Sequence, residues 1–326
     1  MMVRKSVGML REGDQLEEVY QARDKQLRAN RHGNLYLQLD LADRTGMINC
    51  RMWNAGQSVF AGFDDGDLVK IRGRVQAHQG SLQVIATCVE KAAMEGMDPS
   101  EFQSAPDHDA DRLLHRAGEL VRGISSFPLR ALGETILLDQ AAVAGFRATP
   151  AGVSAHHAYP GGLLEHVVCM MELADRICPL YPGVDRDLVL VGCLTHDIGK
   201  IRELSSVKGI SYTYEGQLIG HLALGQEMVT GFIAQAEKLM GQAFPVELRL
   251  RVMHMLLSHH GSLEFGSPRV PMTPEAIALH QIDLMDSRMN MAMRHLREDR
   301  AGGSWTPVHA TLQRRLYRGT QPGQAD

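Results

Sequence analysis

Apolar and polar residues alternate with a period of two through GNLYLQLDLAD, where Leu35, Leu37, Leu39 and Leu41 share one side and Tyr36, Gln38 and Asp40 the other. This is the pattern of a half-buried strand. DRTG then turns the chain, GMINCRMWN alternates again, and DLVKIRGRVQ and LQVIATCV face each other across the tight turn HQGS. With a first strand over 16–28, five strands are predicted in the first ninety or so residues. The stretch MEGMDPSEFQSAPDHDA is polar, acidic and proline-bearing, and beyond it the apolar period lengthens to that of a helix. Helices are predicted over 112–124, 129–145, 162–178, 187–198, 217–239, 246–260 and 274–298, the last with Thr273 as N-cap and Pro274 at its first position. No internal repeat or low-complexity tract interrupts them.

The fold class that follows is multidomain, β plus all-α: a barrel domain over 1–93, a linker over 94–110, a helical domain over 111–300 and a C-terminal tail over 301–326. Five curled antiparallel strands in that length suit an OB-fold barrel, although a different small barrel leaves a similar trace. OB-folds hold single strands with a basic groove and aromatic platforms. The candidates are Arg28, Arg31, Tyr36 and Trp53, together with Arg23, Lys25 and Arg44; the same residues also read as solvated strand faces and a core tryptophan.

Charge changes this picture little. Residues 1–92 carry 13 Lys+Arg against 11 Asp+Glu and the remainder 21 against 27, so neither part is a polybasic DNA-binding surface. No apolar run approaches the roughly 20 residues that span a bilayer, and MMVRKSVGMLREGD lacks a hydrophobic signal core, so the expected compartment is the cytoplasm, with no membrane partner. Five scattered cysteines without a CxxC pair fit reduced core residues. Histidine is more informative, because ten of the fifteen lie between His156 and His295.

Several of these fall on the apolar faces of the predicted helices. His166 shares a face with Leu163, Met170 and Leu173, His196 and Asp197 follow Val189, Leu190, Cys193 and Leu194, and His221 lies between Leu218 and Leu224. His259 follows Met255 and Leu256, and Asp283 follows Ala276 and Leu279. One inward histidine is usually a hydrogen-bonded core residue. Several, with two aspartates, would cost several kcal/mol each to bury without a cation. Adjacent helical residues diverge by about 100°, so His196 and Asp197 cannot take the same place on one ion, but they can flank a pair of ions with Asp197 bridging. The pair His259–His260 poses the same problem: either both bind in a two-metal site, or one is a substrate or outer contact.

In this order, His166, His196–Asp197 and Asp283 resemble the H…HD…D signature of HD-domain metal-dependent phosphohydrolases, and His221, His259 and His260 resemble the extra ligands of the two-metal subgroup. HHAYPGGLLEHV, LTHDIGKIREL, YTYEGQLIGHLALG, SHHGSLEFGSP and GSWTPVHATLQRRLYRG are similar to motifs of the YhaM-type 3′-to-5′ exoribonucleases, which join an N-terminal OB-fold to an HD domain. The GYP motif of the HD-GYP cyclic-dinucleotide phosphodiesterases is not found.

The resemblance implies a metal-dependent phosphodiesterase that shortens single-stranded RNA from its 3′ end, with single-stranded DNA as a further candidate. Its cofactors would be two divalent ions, manganese first and iron, cobalt or zinc as alternatives, held by His166, His196, Asp197, His221, His259, His260 and Asp283. Asp197 would bridge the ions beside an attacking water of lowered pKa. Lys200 would act on a phosphate oxygen, or else merely offset a helix dipole. His156 and His157 would bind substrate phosphate or protonate the leaving 3′-oxygen, or cap the next helix. Asp286 and His280 are read as outer contacts or as ordinary residues. The methionines of LMDSRMNMAMRHL read as core or interface packing, and a homo-oligomer stays open. Three rivals remain: an HD phosphohydrolase for small cyclic or linear nucleotides, an HD-fold di-iron oxygenase, and an RNA-binding module with a structural metal.

Overall fold

The computed structural model describes residues 4–78, 81–93, 97–98, 101–102, 109–153, 157–206, 210–299 and 303–319. The chain divides into two compact units, one formed by 1–105, 207–209 and 292–326, the other by 106–206 and 210–291.

The first unit is built on five strands, β1 (Gln15–Ala29), β2 (Leu35–Asp43), β3 (Gly46–Trp53), β4 (Leu68–His78) and β5 (Ser81–Lys91), closed in the order β1-β2-β3-β5-β4. All pairings are antiparallel except β3 with β5. Alternation explains the closure: Leu37, Leu39 and Leu41 point inward with Tyr20, Cys50, Ile71, Val75 and Val84, and all of these are fully buried. Leu35, expected on the same face, lies at the start of β2 and is 42% exposed. A short helix, α1 (Gln57–Ala61), joins β3 to β4 where no periodicity announced one. The five-stranded barrel is thus closed as an OB-fold requires. The segment 303–319 also belongs to this unit, folding back on itself through bridges between Trp305 and Tyr317 and between His309 and Arg314.

The second unit is helical: α2 (Ala110–Arg122), α3 (Phe127–Leu138), α4 (Gln140–Ala148), α5 (Gly162–Ile177), α6 (Arg186–Thr195), α7 (Lys200–Glu203), α8 (Tyr214–Ile219), α9 (His221–Met240), α10 (Val246–Ser258) and, as far as Met291, α11 (Pro274–Glu298). Two strands of two residues, β6 (Leu204–Ser205) and β7 (Ser211–Tyr212), pair between α7 and α8. The helix expected over 129–145 is two, because Asp139 leaves the helical region and its side chain caps α4 by accepting from Ala142 N. The helix expected over 217–239 also divides, at Gly220, whose φ of 79° no helix contains. From Leu188 to Thr195 every residue of α6 is buried, so this helix is the centre of the core and delivers its C-terminal end into the middle of the unit. Among the described residues no helix is long and apolar enough to cross a membrane.

Candidate metal centre

The turn that leaves the buried end of α6 carries His196 and Asp197, and four other elements bring imidazoles and a carboxylate to it. His166 comes from α5, His221 is the first residue of α9, His259 and His260 follow α10, and Asp283 comes from α11. The Asp197 carboxylate lies between two groups of histidines. Its Oδ2 is 3.3 Å from His196 Nε2, 3.9 Å from His166 Nε2 and 2.7 Å from Lys200 Nζ, whereas Oδ1 is 3.5 Å from His259 Nε2 and 3.6 Å from His221 Nε2. Asp283 Oδ1 is 3.4 Å from His166 Nε2, and the two Nε2 atoms of His221 and His260 are 3.2 Å apart. Donor atoms of His166, His196 and Asp197, of His196, His259 and Asp283, and of His221, His259 and His260 gather in sets within 4.8 Å. All seven side chains expected to form a metal site therefore meet in one place.

Each ring is aimed by its other nitrogen. The Nδ1 atoms lie 2.9 Å from Cys193 O for His196, 2.8 Å from Leu256 O for His259, 2.9 Å from Phe265 O for His260, 3.1 Å from Glu203 Oε1 for His221 and 2.7 Å from Asp286 Oδ2 for His166. Every one of these partners accepts, so Nδ1 carries a proton in each ring and Nε2 turns inward. Glu203 also accepts the backbone N–H of His221 at 2.9 Å. The buried His196 Nε2 and Asp197 Oδ1 have no hydrogen-bond partner among the described residues. Facing lone pairs and orphaned buried acceptors destabilise the cluster unless a cation lies among them, and neutral imidazole with carboxylate suits a divalent transition metal. The residues present fit such an ion.

Electrostatics agree. Burial works to raise the Asp197 carboxyl, but Lys200 and then His196 and His259 hold it well below the usual carboxylate range. Burial likewise opposes ionisation of Asp283 and Asp286, and the histidines bonded to each overcome it. Burial, then the neighbouring His259 and His221, pushes His260 down to about 4, which leaves its ring neutral. His166 goes the other way: burial would lower it, but Asp283 and Asp286 raise it to about 10, so a proton stands at Nε2 where a cation would replace it.

Glycine allows the close approaches. A Cβ on Gly199 would stand 2.0 Å from His221 O, so only glycine lets the turn after Asp197 lie against the start of α9. Gly261, at φ 84°, turns the chain after the histidine pair with the His280 ring where its Cβ would be, and His280 Nδ1 bonds His259 O at 2.7 Å.

The residues expected to meet substrate are placed differently from one another. Lys200 is inside the cluster, its Nζ bonded to Ala151 O at 2.6 Å as well as to Asp197. His157 is buried behind His166 and bonds Asp286 Oδ2 at 3.0 Å; His156 lies outside the described residues. On the barrel, Arg28 stands opposite Tyr36 across β1 and β2, and Tyr36 opposite Trp53 across β2 and β3. The two rings lie 5.0 Å apart at 43°, with Trp53 45% exposed, and Arg28 and Arg31 are exposed. Lys25, by contrast, is spent on the carbonyls of Phe60 and Phe63, and Arg23 bonds Gln21. Sequence reasoning missed Glu203, Tyr159, Glu165 and Asn290; Tyr159 and Glu165 lie within HHAYPGGLLEHV and Glu203 within LTHDIGKIREL, whereas nothing in the sequence singled out Asn290.

A family model for an OB-fold nucleic acid binding domain matches residues 19–92, and one for the HD domain matches residues 163–288. The 3′-5′ exoribonuclease YhaM of Bacillus subtilis is 33% identical over 290 residues, covering 89% of this chain and 90% of its own. Its counterpart in Listeria monocytogenes is 32% identical over 290 residues with the same shares, and that of Bacillus velezensis is 32% identical over 309 residues, covering 94% and 96%. With an OB barrel, an HD domain and this extent of identity in one chain, the protein belongs to the YhaM 3′-5′ exoribonuclease family.

Proposed function

We propose that the protein is a metal-dependent 3′-to-5′ exoribonuclease for single-stranded RNA, in which the OB domain over 1–93 holds the strand and the HD domain over 111–300 hydrolyses its terminal phosphodiester. The observation that carries the two-metal reading is the Asp197 carboxylate, with one oxygen turned to His166 and His196 and the other to His259 and His221. One cation would be held by His166, His196, Asp197 and Asp283, a second by Asp197, His221, His259 and His260, with manganese preferred over iron, cobalt or zinc. Bound there, the cations would acidify a water and neutralise charge developing on the phosphoryl oxygens.

The chain's own residues do the rest. The hydrogen bonds from Nδ1 to fixed acceptors keep the imidazoles oriented without reorganisation. The Lys200 ammonium, already beside Asp197, supplies positive charge to a non-bridging phosphate oxygen as a point donor. On the barrel, Tyr36 and Trp53 offer faces for two bases while Arg28 and Arg31 follow the backbone. The direction of degradation rests on the relatives.

Purified protein incubated with a 5′-labelled single-stranded RNA and Mn²⁺ should give a ladder shortening from the 3′ end, abolished by chelator. RNA left intact while a small nucleotide phosphodiester is cleaved would overturn the reading. A DNA strand of the same sequence, run beside it, distinguishes an RNA-specific enzyme from one that takes either strand.

A further inference from the structure

Helices α5 and α11 meet at the metal centre, and the bonds that join them there run through a side chain for which the reaction has no use. Asp286 Oδ2 accepts from His166 Nδ1 at 2.7 Å and also from His157 Nε2 at 3.0 Å. One turn further along α11, Asn290 Oδ1 accepts the backbone N–H of His157 at 3.1 Å. On the other side of the ring, Nδ1 meets the Tyr159 hydroxyl at 2.9 Å, and that hydroxyl gives its proton to Glu165 Oε2 at 2.6 Å. The ring thus stands between Asp286 at Nε2 and, at Nδ1, the Tyr159 hydroxyl, with Asn290 Nδ2 at 3.4 Å and Glu165 Oε1 at 3.8 Å from the same nitrogen.

The backbone has been bent to put it there. His157 has φ 44°, a region that non-glycine residues occupy only when their surroundings over-determine it. A Cβ on Gly162 would stand 2.0 Å from His157 O, so the first residue of α5 must be glycine for this loop to lie against it. The His157 side chain is 4% exposed and both of its ring nitrogens are engaged, which is poor placement for a group that is to meet RNA.

We propose that His157 is a positioning residue of the metal centre. Clamped to α11 through Asp286 and Asn290, it holds the Asp286 carboxylate against the Nδ1–H of His166 and so keeps His166 Nε2 turned toward Asp197 and Asp283. This rests on the reading of the cluster as a metal site, and it unites His157, Tyr159, Glu165 and His166 of the motif HHAYPGGLLEHV in one structural role. His157, Tyr159, Glu165 and His166 belong to a single hydrogen-bonded network that ends at a ligand.

The test is a calorimetric Mn²⁺ titration of the metal-free full-length protein as wild type, His157→Ala and His157→Gln, with RNA affinity measured in chelator. Hydrogen-bond partners of ligating histidines are worth roughly 10- to 100-fold in metal affinity. His157→Ala should lose that much, His157→Gln should recover most of it by donating its amide to Asp286, and RNA affinity should not change. If His157→Ala does not fold, as judged by circular dichroism, Tyr159→Phe removes only the hydroxyl that orients the ring and should still weaken Mn²⁺ several-fold. Unchanged Mn²⁺ affinity in the folded variants, with a raised KM for RNA, would overturn the inference alone and make His157 a substrate contact. A wild type that takes up no Mn²⁺ would overturn the metal-site reading and this inference with it.

Discussion

Replacing Gly199 by alanine probes the contact that brings Asp197 to His221. The added methyl would stand 2.0 Å from His221 O, 2.6 Å from Gly225 N and 2.8 Å from His221 C. All three are backbone atoms, which cannot swing aside as a flexible side chain would, and interiors packed like crystals have no slack to absorb them. Restoring ordinary contact requires the turn and α9 to separate by roughly 1.5 Å, given optimal carbon separations of about 3.5–4.0 Å. His221 Nε2 is 3.6 Å from Asp197 Oδ1, so that movement takes His221 away from the shared carboxylate. Overpacking of this kind costs about 1–3 kcal/mol, which is a fall of roughly 2–10 °C in Tm for a unit of this size. A misplacement near 1 Å at a reacting centre costs on the order of 100-fold in rate.

Gly231→Ala in the same helix is the matched control. Nothing lies within 4 Å of the position its Cβ would take, and alanine is the better helix former by about 0.5–1 kcal/mol. Thermal melting, Mn²⁺ titration and the rate of RNA shortening should separate the two: Gly199→Ala melts lower, binds Mn²⁺ more weakly and turns over about 100-fold more slowly, whereas Gly231→Ala melts at or above the wild type with full activity. A Gly199→Ala protein with wild-type melting, metal affinity and rate would show that the close approach does not hold His221 in place.

Asp197→Ala should abolish hydrolysis and leave RNA binding by the barrel intact; unchanged turnover would remove Asp197 from the centre of the mechanism. Trp53→Ala should weaken single-stranded RNA binding in chelator by roughly 5- to 100-fold, the worth of one stacked base, and equal filter-binding curves would place the strand elsewhere on the barrel. Glu275, buried near the start of α11, accepts the Asp185 N–H at 3.0 Å and faces Arg251 Nη2 at 2.8 Å; burial would raise its carboxyl, but these two partners hold it below the ordinary value. Its stabilisation is therefore present above the unfolded pKa of about 4.3 and lost as pH falls through the lower folded value. Glu275→Gln should cost about 1–3 kcal/mol in denaturant unfolding at pH 7, with the gap from wild type closing below about pH 4; a gap that persists in acid would mean that the carboxylate charge is not its source.

How much of this could be read from the chain follows from where each partner lies. Leu37, Leu39 and Leu41 announced a strand because a barrel buries one face of each strand, and burial is what alternation records. The helix expected over 217–239 failed at Gly220 because apolar spacing carries no information about φ. His221 accordingly opens α9 instead of sharing a face with Leu218, which is 85% exposed. Lys25 read as a nucleic-acid contact, yet its ammonium is held by two carbonyls some 35 residues away in the chain, and a carbonyl leaves no mark on composition. Glu203 went unseen for a related reason: one buried carboxylate in a four-residue helix, KIRE, has no periodicity to be judged against.

The histidines were legible because the fold orients them with means that leave the rest of the sequence free. A helix ends with its last four carbonyls lacking intrahelical partners. At the end of α6 one of these, Cys193 O, takes Nδ1–H of His196 three residues on, and at the end of α10 Leu256 O takes Nδ1–H of His259 by the same spacing. The backbone group that termination leaves unsatisfied is thus the group that fixes the ring, and the Nε2 lone pair is pointed beyond the helix end, where Asp197 stands. The HD of one turn and the HH of the other are one local device used twice. Because its second partner is main chain, the residue identities at 193 and 256 are constrained only by packing. The motif therefore reduces in sequence to the ligands themselves, while side-chain partners such as Glu203 and Asp286 had to come from elsewhere in the chain.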